Sequence, residues 1–335
     1  MTKHYDICGI GNALVDQQYN VSFELLKQLK LTHGQMSLAT KEEQERLINF
    51  LDHKQIPSIS SCGGSATNTL VASASFGSKC IQLCRVASDL NGQTYVNNLT
   101  EFTVDSYQPK TTSPSSLPTG SCVVLVTPDS QRTMSTYLGI SAQMTTDFIS
   151  ETLINQSKLL YLEGYMVTNP ENLNTITEAS TYAFSQGIKR ALSLSDPGVV
   201  AYFKEAFISL CQEKMDIIFC NEAEAISFTQ TPSLAEAESA LLSYTHTYVI
   251  TRGEHGAITY DGQTRSVISG KSVTAIDTNG AGDIFAGAFL SAYLTQNTYE
   301  KAGFFGNEAA GMLVTQFGPR LSHEQYHSLL PLMHS

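Results

Sequence analysis

The chain has 335 residues and a net charge of −11. That length fits roughly two domains, or one large α/β domain with an insertion, and it suffices to bury a full core. The acidic balance argues against a nucleic-acid partner, because a phosphate backbone demands a basic surface; small phosphorylated ligands need only local donors.

The seven cysteines include no C-x-x-C pair and read as buried free thiols of a reducing compartment. The opening residues Met1-Thr2-Lys3-His4-Tyr5-Asp6 form no apolar leader core, and no stretch approaches the ~20 apolar residues of a membrane span. The expectation is a cytoplasmic protein with no membrane partner.

Tyr5 to Gly11 reads as a buried strand ending in Gly9-Ile10-Gly11. Leu14 stands at the third glycine position of a dinucleotide fingerprint, which argues against that motif. Asn12 and Asp16 follow the strand. Ligands in open α/β sheets sit outside the carboxyl ends of strands, so both are candidate binders of a polyol. Asp16 capping a turn is the plain alternative.

Ser22 can cap a short helix carrying Leu25, Leu26 and Leu29, and Gly34 to Leu38 reads as a short strand. Thr40-Lys41-Glu42-Glu43 is a capping-box pattern for a helix through Leu51. Next, Cys62-Gly63-Gly64-Ser65-Ala66-Thr67-Asn68 opens a helix over Thr69 to Phe76. Paired glycines allow close approach of a ligand to the backbone, and Asn68 sits one turn in. Lys79 to Val86 reads as a strand, with Cys80 and Cys84 at same-face core spacing, and Asn91 to Glu101 as a helix.

Tyr107 to Ser116 is a Pro/Ser/Thr-rich loop. Ser121 to Thr127 and Thr133 to Leu138 alternate around the turn Pro128-Asp129-Ser130, which predicts a hairpin. With the Gly34 region it would make a small second sheet, a lid drawn from about residues 13–40 and 104–140. Arg132 stands beside the turn, as a phosphate clamp or as a solvated surface charge.

From Lys158 onward strands and helices alternate, which implies a parallel sheet covered on both faces. Strands are expected at Leu159–Leu162, Arg190–Leu194, Asp216–Cys220 and Tyr248–Thr251, and helices at Leu173–Ser185, Val199–Cys211 and Glu222–Phe228. Several strand ends are polar, among them Ser195-Asp196-Pro197. Asn221 and Glu224 lie three apart at a helix start. They suit a hydrated Mg²⁺, which keeps most of its waters, or equally a helix cap. Thr251-x-Gly253-x-x-Gly256 is a plausible nucleotide-phosphate turn but lacks the Gly-Lys-Ser/Thr ending of a Walker A loop.

The most informative stretch is Asp277-Thr278-Asn279-Gly280-Ala281-Gly282-Asp283, which runs into the apolar helix Ile284 to Leu290. Bare backbone N–H groups at a helix start favour an anion. A carboxylate beside that anion makes sense where a phosphoryl group is transferred and Asp283 takes a proton from the attacking hydroxyl. The plain alternative is a Gly-rich loop with a capping Asp. A small-residue helix follows from Ala302 to Val314, with Asn307 on it. The tail motif His323-Glu324-Gln325-Tyr326-His327 matches H-E-x-x-H, but no downstream Glu ligand follows, and Leu330 and Met333 break the extended form.

Gly63-Gly64-x-x-x-Asn68, Asn221-x-x-Glu224, Thr251-x-Gly253-x-x-Gly256 and the Asp277–Asp283 stretch occur in an order that resembles the ribokinase-like family of carbohydrate and nucleoside kinases. Gly9 to Asp16, and Asn279 within the signature, resemble adenosine kinases. Gln131 to Gly139 and Tyr161-Leu162-Glu163-Gly164-Tyr165 resemble the bacterial adenosine-kinase-like branch.

The resemblance implies one kinase domain over residues 1–335, a three-layer α/β/α fold with a mostly parallel central sheet and a small β-sheet lid. It implies Asp283 as general base and the amides of Gly280, Ala281 and Gly282 as anion hole. Asn12, Asp16, Gly63, Gly64, Ser65, Asn68, Arg132 and Asn279 would hold the substrate. Asn221, Thr251, Gly253, Gly256 and Asn307 would lie along ATP, and Asn221 and Glu224 would organise Mg²⁺ through water. A K⁺ site near Asp277 is common in the family.

The activity implied is ATP-dependent phosphorylation of a nucleoside 5′-hydroxyl, with adenosine first. A sugar kinase of the same family and a non-catalytic nucleotide sensor are the alternatives. Thr67 stands where animal adenosine kinases carry Gln, which leaves base specificity open. Monomer and homodimer are both compatible with the pattern.

Overall fold

The computed structural model describes residues 3–108 and 116–333. Its strands are β1 (Tyr5–Ile10), β2 (Leu14–Asn20), β3 (Met36–Leu38), β4 (Ser58–Gly63), β5 (Cys80–Leu83), β6 (Val104–Tyr107), β7 (Gly120–Val126), β8 (Arg132–Tyr137), β9 (Ser157–Glu163), β10 (Lys189–Ser193), β11 (Met215–Asn221), β12 (Thr245–Thr251), β13 (Ala257–Tyr260) and β14 (Arg265–Ile268).

They form a nine-stranded sheet, ordered β14-β13-β12-β11-β10-β9-β1-β5-β6, and a five-stranded sheet, ordered β3-β8-β7-β2-β4. From β12 to β6 the large sheet is parallel, and only the β12–β13 and β13–β14 pairs are antiparallel. A parallel strand covered on both faces reads as an unbroken apolar run. Strand β9 shows this: Leu159 and Tyr161 enter the core on one side, Leu160 and Leu162 the core on the other. Helices Ser65–Ser75, Ala281–Leu294 and Tyr299–Leu313 build the first side; Pro170–Ser185, Lys204–Leu210 and Glu222–Thr229 build the second. The expected three-layer α/β/α arrangement is thus present.

The small sheet buries one face under helices Phe23–Leu29 and Lys41–His53 through Tyr19, Leu26, Leu47, Leu51, Val123 and Leu125. The second of these helices starts in the expected capping box: Glu43 N–H donates to Thr40 Oγ1 at 3.2 Å and Thr40 N–H to Glu43 Oε2 at 2.8 Å. The other face of the sheet carries Leu14, Cys122, Val124, Met134 and Leu138.

Strand membership differs from expectation in two places. Residues 104–107 pair with β5 in the large sheet, and Ser58–Gly63, a Ser-rich run with no apolar alternation, forms an edge of the small one. The helix expected over Val199–Cys211 is two helices, Pro197–Tyr202 and Lys204–Leu210, broken at Phe203. Most of the expected 107–116 loop lies outside the described residues.

One helix pair positions the site. Helix Ala281–Leu294 is buried from Ile284 to Ala292, which explains why its sequence is apolar all round. It lies against helix Ser65–Ser75 at Gly287, where an added Cβ would stand 2.4 Å from Thr69 O and 2.6 Å from Ala72 Cβ. Ser73 Oγ donates to Gly287 O at 2.8 Å across the same contact. Gly287→Ala should therefore destabilise the fold by about 1–3 kcal/mol through overpacking. Urea unfolding will test this: the midpoint should fall while the slope stays unchanged.

Candidate active site

Two cavities meet at the head of helix Ala281–Leu294. One, of about 640 Å³ including open solvent, is lined at its floor by Asn12, Gly64, Ser65, Asn68, Glu163 and Asp283. Its roof comes from the small sheet and is largely apolar: Leu14, Met36, Leu38, Cys122, Met134 and Leu138. The second is a groove of about 2050 Å³, including open solvent, bordered by Asn221, Glu224, Thr251, Gly253, Gly256 and Asn307 among others. Asp283 and Arg132 line both.

Asp283 sits in the first turn of its helix. Its Oδ1 accepts from Ser65 Oγ at 2.6 Å and its Oδ2 from Asn68 Nδ2 at 3.1 Å. Burial raises its pKa above the ordinary carboxylate value, and Ser65, Arg132, Asn68 and Arg320 oppose that rise.

The turn before it has Gly280 at φ +75°, where a Cβ would stand 2.6 Å from Pro319 O, so glycine is required. Ala281 N–H is already engaged with Thr278 O at 3.2 Å. Among the described residues the amides of Gly280, Gly282 and Asp283 have no hydrogen-bond acceptor. The free donor set is therefore Gly280, Gly282 and Asp283 rather than Gly280, Ala281 and Gly282. Unpaired amides at a helix start are a ready anion site.

Asp16 is not beyond a strand end, as expected, but within β2, where its side chain faces the smaller cavity from the roof. It is 6 % exposed, and its carboxylate makes no hydrogen bond among the described residues. Burial pushes its pKa up to about 7, against the pull of Arg320. Gly63 leaves it room: a Cβ there would stand 2.1 Å from Asp16 Oδ1. At Gly64, φ is +93° and a Cβ would stand 2.3 Å from Asn12 O.

Asn12 is held by Glu163, whose Oε1 accepts from Asn12 Nδ2 at 2.9 Å, and by Asn172 Nδ2, which donates to Asn12 Oδ1 at 3.3 Å. Glu163 Oε2 also accepts from Ala66 N–H at 2.8 Å, and burial lifts the Glu163 pKa to about 7. Sequence reasoning placed no role on Glu163. Its signal was a lone acid closing an apolar strand, Leu159-Leu160-Tyr161-Leu162-Glu163, at the carboxyl edge where ligands bind.

Arg132 does reach the signature loop: Nη1 donates to Thr278 O at 3.1 Å and to Asn279 Oδ1 at 3.5 Å. Thr278 Oγ1 donates to Ser130 O at 3.0 Å, so the hairpin turn grips the same loop. Asn279 lines the smaller cavity.

In the groove, Asn221 and Glu224 cap each other. Glu224 N–H donates to Asn221 Oδ1 at 2.8 Å, Asn221 N–H to Glu224 Oε2 at 3.0 Å, and Asn221 Nδ2 to Glu224 Oε1 at 2.7 Å. This cap lies on the groove wall. Burial raises the Glu224 pKa to about 7, and neighbouring Asp196 adds to this. Among the described residues no cluster of three or more His, Cys, Asp or Glu could enclose a metal. Two oxygen-bearing side chains fit a hydrated Mg²⁺ carried by phosphates, not a protein cage.

The tail H-E-x-x-H motif belongs to the fold, with Tyr326 in the core and His323 stacked on Phe102 at 4.6 Å. Asp277 accepts from three donors: Gln18 Nε2 at 2.5 Å and Gly318 N–H at 2.9 Å on Oδ2, and Asn279 N–H at 2.8 Å on Oδ1.

Beyond the groove's Thr251 edge, Gly253 and Gly256 have φ of +54° and +85°, and a Cβ on Gly256 would stand 2.1 Å from Ile268 O. Asn307 Nδ2 donates to Ser269 O at 3.0 Å on the facing wall.

Residues 52–325 match the model of the pfkB family of carbohydrate kinases. The chain belongs to that family. It is thus a phosphotransferase acting on an alcohol acceptor, with ATP as the donor. Adenosine kinase from Sinorhizobium meliloti superposes with a TM-score of 0.90 at 29 % identity, over 97 % of this chain and 98 % of that one. Ribokinase of Haemophilus influenzae is 29 % identical over 270 residues, 78 % of this chain and 83 % of that protein. Adenosine kinase 2 of Arabidopsis thaliana is 24 % identical over 347 residues, 95 % of this chain and 96 % of its own. No helix among the described residues is long and apolar enough to cross a membrane.

Asp16 yields a test. Its folded pKa of about 7 lies above the ordinary 3.8, so the folded chain holds a proton that the unfolded chain releases in that window. Its contribution to stability is therefore lost as pH rises from about 4 through 7. Asp16→Asn should raise the melting temperature of the ligand-free protein at pH 8 and much less at pH 5. Thermal unfolding at both pH values will read the difference; an equal effect at both would contradict the placement.

Proposed function

We propose that this chain transfers the γ-phosphoryl group of ATP to the 5′-hydroxyl of adenosine, giving AMP and ADP. One observation carries the choice of acceptor. The smaller cavity is polar at its floor and apolar at its roof, and it opens into the larger groove at Asp283. A nucleoside has that same division: a hydroxylated ribose and a flat, largely apolar base. A free sugar would leave the apolar roof uncovered. The adenosine kinases among the similar proteins support the same reading.

In this account Asn12, Asp16, Gly63, Gly64, Ser65, Asn68 and Asn279 surround the ribose. Asp283 takes the proton of the 5′-hydroxyl as it attacks, held in place by Ser65 and Asn68. The amides of Gly280, Gly282 and Asp283 receive the charge gathering on the transferred group, and Arg132 faces it from the small sheet. Thr251, Gly253, Gly256 and Asn307 line the path of ATP. Asn221 and Glu224 would hold Mg²⁺ through water, and the ion supplies neutralisation of phosphate charge. The small sheet with its two helices acts as a lid on one kinase domain spanning residues 1–335, and its closure keeps water from the phosphoryl group.

Asp283→Asn should lower kcat by about 10²–10⁴-fold while adenosine still binds, as read by a coupled ADP assay and calorimetry. A near-normal rate would reject the base. In a competition assay of adenosine, inosine, ribose and fructose, adenosine should have the highest kcat/KM. Preference for ribose would move the reading to a sugar kinase, and binding without product would make the chain a sensor.

A further inference from the structure

We propose that Arg320 is a positioning residue for this reaction, one that fixes the Asn68 side chain so that its amide nitrogen faces Asp283. The inference rests on Asp283 as the base. Arg320 lies in the segment between helix Tyr299–Leu313 and helix His323–Met333, far along the chain from the residues it serves.

The chemistry of the contacts determines the geometry. A guanidinium only donates, and a carboxylate only accepts. Asn68 stands between the two. Arg320 Nε donates to Asn68 Oδ1 at 2.9 Å, and Asn68 Nδ2 donates to Asp283 Oδ2 at 3.1 Å. Without Arg320 the amide loses its anchor on that side, and the Asn68 side chain is free to swing away from the Asp283 carboxylate.

Arg320 is itself anchored: Nη1 donates to Asn98 Oδ1, and the guanidinium sits 5.8 Å from the centre of the Phe102 ring. Its Nη2 is buried with no partner among the described residues. Structural packing alone gives no reason to bury a guanidinium with one nitrogen unsatisfied.

The same segment also supports the anion turn. Val314 O accepts from Ile276 and Asp277 N–H at 2.7 and 3.3 Å, Gly318 N–H donates to Asp277 Oδ2, and Pro319 packs on Gly280. One stretch of chain therefore holds the donor turn by its backbone and aligns the base by its side chain. The positive charge also favours the ionised forms of Asp16 and Asp283.

The test combines kinetics with a structure. Arg320→Met should lower kcat by about 10–100-fold, the worth of a charge-assisted hydrogen bond, with KM for ATP changed by less than about 2-fold. Arg320→Lys, which restores charge and one donor, should recover part of the loss. In an Asn68→Leu background, Arg320→Met should add little, because the amide it orients is gone. A crystal structure of the Arg320→Met protein should show the Asn68 side chain displaced from its 3.1 Å contact with Asp283 Oδ2.

Wild-type kcat in Arg320→Met, or the same fall in kcat with and without Asn68, would overturn the proposal. So would a hydrogen bond from Asn68 to Asp283 that survives the substitution. If Arg320→Met does not fold, Arg320→Gln takes its place with the same outcomes. The crystallographic result does not depend on whether Asp283 is the base, which the Asp283→Asn rate decides separately.

Discussion

A carboxylate taken out of water must be paired or hydrogen-bonded, or it will hold its proton. Asp283 is where this constraint meets the chemistry. It is half-buried at the head of an apolar helix and meets it with Ser65 and Asn68 from a second helix, with Arg132 and Arg320 at longer range. Those partners are available only because the two helices touch at Gly287. Packing and chemistry are thus one arrangement: a larger residue at the helix contact would move the groups that keep the carboxylate ready.

The remaining architecture follows from what lies on each side of that point. The large sheet sends its polar strand ends to one edge, where Asn221, Thr251 and the Gly253–Gly256 turn border the groove. The small sheet turns its apolar inner face toward the other cavity, with Asp16 as the polar exception. Hairpin and signature loop are joined by Ser130, Thr278 and Arg132, so the two sheets meet where the cavities meet. Several buried carboxylates, Asp16, Glu163 and Glu224, hold raised pKa values there, an instability suited to a site that binds hydroxyls and phosphates.

Much of this was legible in the chain. Apolar runs at Leu159–Leu162 and Asp216–Cys220 marked the parallel strands, because a doubly covered strand needs no alternation. The Gly-Ala-Gly-Asp turn announced itself by local chemistry. Strands β2 and β4 did not, since Gln17-Gln18 and Ser60-Ser61 carry no apolar alternation and owe their form to their neighbours in the sheet. Glu163 was hidden by its apolar strand, and Arg320 by lying in a polar tail 252 residues from Asn68. No local signal marks such a contact, because only the tertiary fold creates it. The Ala281 amide looked free in sequence and is not, because the turn itself uses it.

The central claim is that the acceptor hydroxyl meets its base where the two cavities join. A crystal structure with adenosine and a non-hydrolysable ATP analogue tests it most directly. The account predicts the 5′-oxygen within about 2.6–3.2 Å of an Asp283 oxygen, with the γ-phosphate facing the amides of Gly280 and Gly282. A 5′-oxygen turned away from Asp283, or a γ-phosphate seated elsewhere in the groove, would contradict it.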